Sequence, residues 1–100
     1  MEEAKNERAK KARLVTRRIN ELINCIKSNP PESEVSEKIY TLKYAKDELG
    51  IAQDDVIANI TEEGTPAHTL RGVEEQWYYK YDIKVNATIN DAKKYIRENK

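Results

Sequence analysis

The run Val35-Ser36-Glu37-Lys38-Ile39-Tyr40-Thr41-Leu42-Lys43-Tyr44-Ala45-Lys46-Asp47-Glu48-Leu49-Gly50-Ile51-Ala52-Gln53-Asp54-Asp55-Val56-Ile57-Ala58-Asn59-Ile60 decides the fold. Its apolar residues Val35, Ile39, Leu42, Ala45, Leu49, Ala52, Val56 and Ile60 recur at a mean spacing of about 3.6 residues, which is one face of one continuous α-helix. Ser33 is placed to cap that helix, with Glu34 and Glu37 near the positive end of its dipole. Gly50 falls inside it, at a cost of roughly 1 kcal/mol against alanine. A glycine there predicts either a kink or the close approach of a neighbouring element.

On the N-terminal side, Ser28-Asn29-Pro30-Pro31 interrupts helix, because proline offers no amide proton and disfavours helix in the residue before it. Before that break, Ala12, Val15, Ile19, Leu22 and Ile26 follow spacings of three and four residues, a heptad-like stripe widened by Leu14 and Ile23. On the C-terminal side, Gly64-Thr65-Pro66 combines a residue for the left-handed end of one helix with a cap and a first-turn proline for the next. The third stripe reads Leu70, Val73, Trp77, Tyr81, Val85, Thr88, Ala92 and Ile96, or Tyr95. Gly72 and the β-branched run from Val85 to Ile89 weaken it as a helix, but the turn chemistry of a strand pair is absent. These readings predict one all-α domain over residues 1–100, with helices near 4–28, 34–62 and 66–98. Short connections make neighbours antiparallel, so the expected architecture is an elongated antiparallel three-helix bundle with coiled-coil-like packing. No internal repeat is present.

Composition agrees with that shape. Apolar residues make up 38% and charged residues 36% of the 100, which suits amphipathic helices sharing a thin seam better than a thick globule. No apolar run is long enough to span a bilayer. The start Met1-Glu2-Glu3-Ala4-Lys5 is too charged for a signal peptide, and Glu2 excludes myristoylation, so an intracellular, cytoplasmic location is expected. Cys25 has no second cysteine to pair with and reads as a small, partly buried hydrophobe.

Chemistry is sparse. His68 is the only histidine, and with one distant cysteine the usual zinc ligand sets cannot be assembled from one chain. Asp54-Asp55, Glu62-Glu63 and Glu74-Glu75 are adjacent pairs that diverge by about 100° on a helix, so they read as solvated faces and not as acid/base pairs. There is no phosphate-cradling glycine loop and no calcium loop. The expectation is a non-enzymatic chain with no catalytic residue, metal, cofactor or small-molecule substrate.

Charge, by contrast, is sorted. Residues 1–30 carry a net +4, residues 31–63 a net −6 and residues 64–100 a net +2, within an overall balance of zero. Lys5, Arg8, Lys10, Lys11, Arg13, Arg17 and Arg18 form a basic group on the first helix. Lys10, Lys11, Arg13, Arg17 and Arg18 are therefore candidates for contacts with RNA, DNA or anionic lipid through phosphate. The competing reading, which is favoured, sets the basic first helix beside the acidic second with no partner at all. Aromatics are clustered too. Trp77, Tyr78, Tyr79 and Tyr81 wrap most of a helical turn, so Trp77 and Tyr81 belong to the core while Tyr78 and Tyr79 are partly exposed. Tyr40 and Tyr44, also four apart, are candidates for the same surface, which would make these six residues a protein interface; plain amphipathic packing is the alternative.

The run Arg13-Leu14-Val15-Thr16-Arg17-Arg18-Ile19-Asn20-Glu21-Leu22-Ile23 resembles the opening of the Gag-like N-terminal region of Pao/BEL-type retrotransposon polyproteins. Tyr40-Thr41-Leu42 to Glu48-Leu49 is similar to the spaced leucines of its second helix, and Val73-Glu74-Glu75-Gln76-Trp77-Tyr78 to its acidic-aromatic element. The resemblance covers about residues 8–97, and nothing in the chain resembles the zinc knuckle, protease or polymerase of such elements. It implies a structural role, self-association into a particle that packages RNA. The partner expected is accordingly a second copy of the chain, with another helical protein, or RNA at the basic first helix, as alternatives.

Overall fold

The computed structural model describes residues 2–60 and 67–98, the side chains of Ala67 and His68 excepted. The turn read at Gly64-Thr65-Pro66, the pair Glu62-Glu63 and the side chain of His68 lie outside the described residues. The protein is an all-α three-helix bundle, with α1 spanning Glu2–Lys27, α2 Glu32–Ala58 and α3 Ala67–Glu98. Each helix packs against both others, and α1 with α2 is the most intimate pair. Gln53 of α2 meets Arg8 of α1 and Glu74 of α3 at one end, while Tyr95 of α3 meets Asn29 and Pro30 at the other. α2 is therefore antiparallel to both its neighbours, and α1 and α3 run parallel. The molecule measures 56 × 20 × 15 Å, with a radius of gyration of 16.3 Å. A compact chain of this length would have about 13 Å.

Helical periodicity accounts for most of the core. Ala12, Val15, Ile19 and Leu22 of α1 and Val35, Ile39, Leu42, Ala45, Leu49, Ala52 and Val56 of α2 are buried, and Val85, Thr88 and Ala92 of α3 join them. Cys25 and Ile89 are buried as well. Burial raises the Cys25 thiol above its ordinary pKa, with Glu34 adding to the effect, so it is a neutral packing group at pH 7. Ile23 does not extend the α1 stripe: it sits at the exposed edge, where the helix face has turned away from the seam.

The helix ends differ from expectation in two places. α2 begins at Glu32, with Pro31 and not Ser33 in the cap position. Pro31 is held extended, and its carbonyl oxygen accepts the amides of Glu34 and Val35, so Ser33 lies within the first turn. α2 ends at Ala58, before residue 62, where the Asn59 side-chain amide donates to the Asp55 carbonyl at 2.6 Å. α1 ends at Lys27, and two residues on the chain turns at Asn29, whose φ of 55° is the left-handed conformation that asparagine tolerates better than most side chains. The single Tyr95 hydroxyl hydrogen is directed at the Pro30 carbonyl oxygen, 2.7 Å away, with Asn29 Oδ1 at 3.0 Å as a second acceptor, clasping the α1–α2 turn to the end of α3.

The third stripe is rotated where α3 begins. Val73, read as core, is 61% exposed, and its neighbour Glu74 faces the other two helices. The reason is electrostatic: Arg8 is buried there, and Glu74 is its counter-ion.

Two substitutions test this packing. Leu42→Ala removes a fully buried side chain from the middle of the seam and is expected to cost about 3 kcal/mol in urea unfolding. Gly72→Ala places a methyl where nothing lies within 4 Å, so it should stabilise α3 by about 0.5–1 kcal/mol and raise the melting temperature.

Candidate functional site

The Arg8 tie positions the site. Its guanidinium donates through Nη1 to Gln53 Oε1 at 3.0 Å and to Glu74 Oε2, and it lies 3.9 Å from the centroid of the Trp77 ring. Gln53 Nε2 donates in turn to the Glu74 backbone carbonyl at 2.8 Å, and Lys5 Nζ stands 3.6 Å from the other Glu74 oxygen. Arg8 is only 7% exposed, so its charge leaves water only because three groups on two other helices receive it. By residue type Arg8 belongs with the solvent-facing basic group of α1. Its position four residues before Ala12, in line with the buried stripe, was the signal that could have moved it inward.

With α3 held there, its neighbouring face forms a groove against α2. The groove encloses about 650 Å³ and is lined on the α2 side by Lys46, Asp47, Gly50, Ile51, Gln53, Asp54 and Ile57, and on the α3 side by Glu75, Tyr78, Tyr79 and Asp82. α2 is continuous through Gly50, which is explained by close approach: a Cβ there would stand 3.3 Å from the Tyr78 hydroxyl oxygen. Burial pushes the Tyr78 hydroxyl above the usual tyrosine range, so it remains neutral. Lys46 ion-pairs with Asp82 across the groove, and that hydrogen bond holds the lysine above its ordinary pKa. Ile51 and Tyr79 stand on the rim at 61% and 57% exposure, apolar surface mostly open to solvent. Asp47, Asp54 and Glu75 have no ion pair among the described residues, so the groove is apolar at its centre and negative at its edges.

The six aromatic residues expected on one surface are divided among three grooves. Tyr78 and Tyr79 line the α2–α3 groove, Trp77 and Tyr81 a smaller one between α1 and α3, and Tyr40 and Tyr44 a third between α1 and α2. A single contiguous patch of all six therefore does not form: in a bundle of three mutually packed helices each groove faces a different direction. The Trp77 and Tyr81 rings meet at a 48° tilt with 4.9 Å between centroids and pack against the core, whereas Tyr40 and Tyr44 are exposed. Ile51 was not anticipated, because it falls outside the α2 stripe and a lone exposed isoleucine has no sequence signal.

The basic residues also divide. Lys11 stands 3.7 Å from Glu48 of α2, and Arg18 donates to Glu21 of its own helix at 2.8 Å. Lys10, Arg13 and Arg17 are exposed and make no ion pair among the described residues. Charge pairing between α1 and α2 thus uses only part of the basic group.

Among the described residues no three His, Cys, Asp or Glu side chains lie close enough to hold a metal ion, and no helix is long and apolar enough to cross a membrane. Fold and site together define a three-helix bundle with an acidic-edged apolar groove between α2 and α3. No protein-family model, curated protein or solved structure matches the chain.

Replacing Arg8 by methionine leaves the Glu74 carboxylate, in a nearly dry site, with only the half-exposed Lys5 as counter-ion, and a loss of about 3 kcal/mol is expected in urea unfolding. Adding Glu74→Leu to that variant should recover a substantial part of the loss; no recovery would mean that Arg8 acts through packing alone.

Proposed function

We propose that this chain is a non-enzymatic assembly module that associates with itself, and that the α2–α3 groove is the receiving surface. The observation that carries the reading is the exposed pair Ile51 and Tyr79 on either side of a groove set in two rigid helices. Apolar and aromatic groups on the rim of a preformed cleft are what helix-in-groove recognition uses. Helical faces supply such contacts without ordering a loop, which lowers the entropic cost of association. The similarity of residues 8–97 to the Gag-like region of Pao/BEL elements points the same way, since self-association is what that resemblance implies.

Light scattering on the purified chain over a hundredfold concentration range tests the reading. The mass per particle is expected to rise with concentration, and Ile51→Ser with Tyr79→Ser should shift the onset upward by about tenfold or more while leaving the melting temperature nearly unchanged. A monomer at every concentration, or association untouched by both substitutions, would contradict it.

A further inference from the structure

Resting on that reading, we infer that the segment entering the α2–α3 groove is the outer face of α1 from a second copy, so that the chains join head to tail. Lys10, Arg13 and Arg17 lie three and four residues apart on the exposed side of α1, Arg13 at the edge of the α1–α3 groove, and none makes an ion pair among the described residues. The groove offers the complementary pattern. Asp47 and Asp54 on α2 are seven residues apart, as are Glu75 and Asp82 on α3, and as are Lys10 and Arg17 on α1. Seven residues of helix rise about 10.5 Å, so two acidic rows and one basic row share an axial repeat. Lys46 already satisfies Asp82, which leaves Asp47, Asp54 and Glu75 to meet Lys10, Arg13 and Arg17.

The apolar centre of the groove fits the same occupant. Arginine and lysine stems are hydrocarbon, and a guanidinium stacks on a tyrosine face, so Arg13 or Arg17 can cover Tyr79 and Ile51 while its head reaches a carboxylate. The two surfaces cannot meet within one molecule. All three helices pack on one another, so the groove between α2 and α3 opens on the side of the bundle opposite the outer face of α1. A contact between opposite sides of identical copies is heterologous, and it propagates as a ring or an open chain, not as a closed pair.

Two charge reversals on exposed positions separate this arrangement from its rivals. One variant carries Lys10→Glu and Arg17→Glu; the other carries Asp54→Lys and Glu75→Lys. Each should be monomeric alone by light scattering in dilute salt, with an unchanged far-ultraviolet melting curve. Mixed in equal amounts they should associate again, because the first keeps its groove and the second keeps its stripe. The wild-type association should also weaken on the order of tenfold between low and half-molar salt as the surface charges are screened. If the stripe variant still self-associates like the wild type, the groove meets something other than α1: the inference is overturned while the assembly reading stands. If the stripe variant alone loses the retardation of a single-stranded RNA oligonucleotide yet associates normally, the stripe is a phosphate-binding surface, which equally overturns it. A wild-type chain that never associates removes the assembly reading itself.

Discussion

The buried guanidinium of Arg8 is the constraint on which the arrangement of α3 depends. α1 and α2 form a close apolar pair over most of their lengths, and they need no polar device to find each other. α3 contributes fewer buried apolar residues, concentrated in its second half around Val85, Ile89 and Ala92. Its first half is tethered by the Arg8 contacts to Glu74 and the Trp77 face, and by Gln53. A charge this well buried is tolerated only when its partners are in place, and that requirement makes one rotation of α3 preferable to the others. The clasp of Tyr95 on the α1–α2 turn secures the opposite end.

That rotation has consequences at the surface. It turns Glu74 inward and Val73 outward, and it brings the Tyr78 hydroxyl over Gly50 at the floor of the groove. Tyr79, one residue on, is left on the rim facing Ile51 across the cleft. A bundle only 15–20 Å across at the backbone has little interior to spare, and its wide surface is where its chemistry lies. Its exposed side chains include a basic stripe on one side and the rim of an acidic, partly apolar groove on the other.

How far the sequence reveals this depends on the kind of interaction. The α2 stripe from Val35 to Val56 is legible because every member is apolar and the seam runs straight along it. The buried half of α1 is legible for the same reason. The start of α3 is not, because periodicity credits Val73 with the inward position and has no means of knowing that Arg8 needs Glu74 there. The cap at Pro31 escaped because serine has the stronger side-chain propensity for that position, while the backbone carbonyl of a proline served without one. Of the candidate surface, Tyr78 and Tyr79 were legible as partly exposed aromatics. Ile51 and the carboxylates that edge the groove were not, since only the approach of α3 to α2 assembles them. Tyr40 and Tyr44 were assigned to the same face on residue type, which carries no information about which of three grooves a residue lines.

Amide chemical shifts followed through a dilution series report whether two opposite faces of the bundle recognise each other between copies. Association of the proposed kind predicts concentration-dependent shifts in two separate groups, residues 10–17 of α1 and residues 46–57 with 75–82 of α2 and α3, saturating together. Shifts confined to one of those groups, or spectra that do not change with concentration, would contradict it.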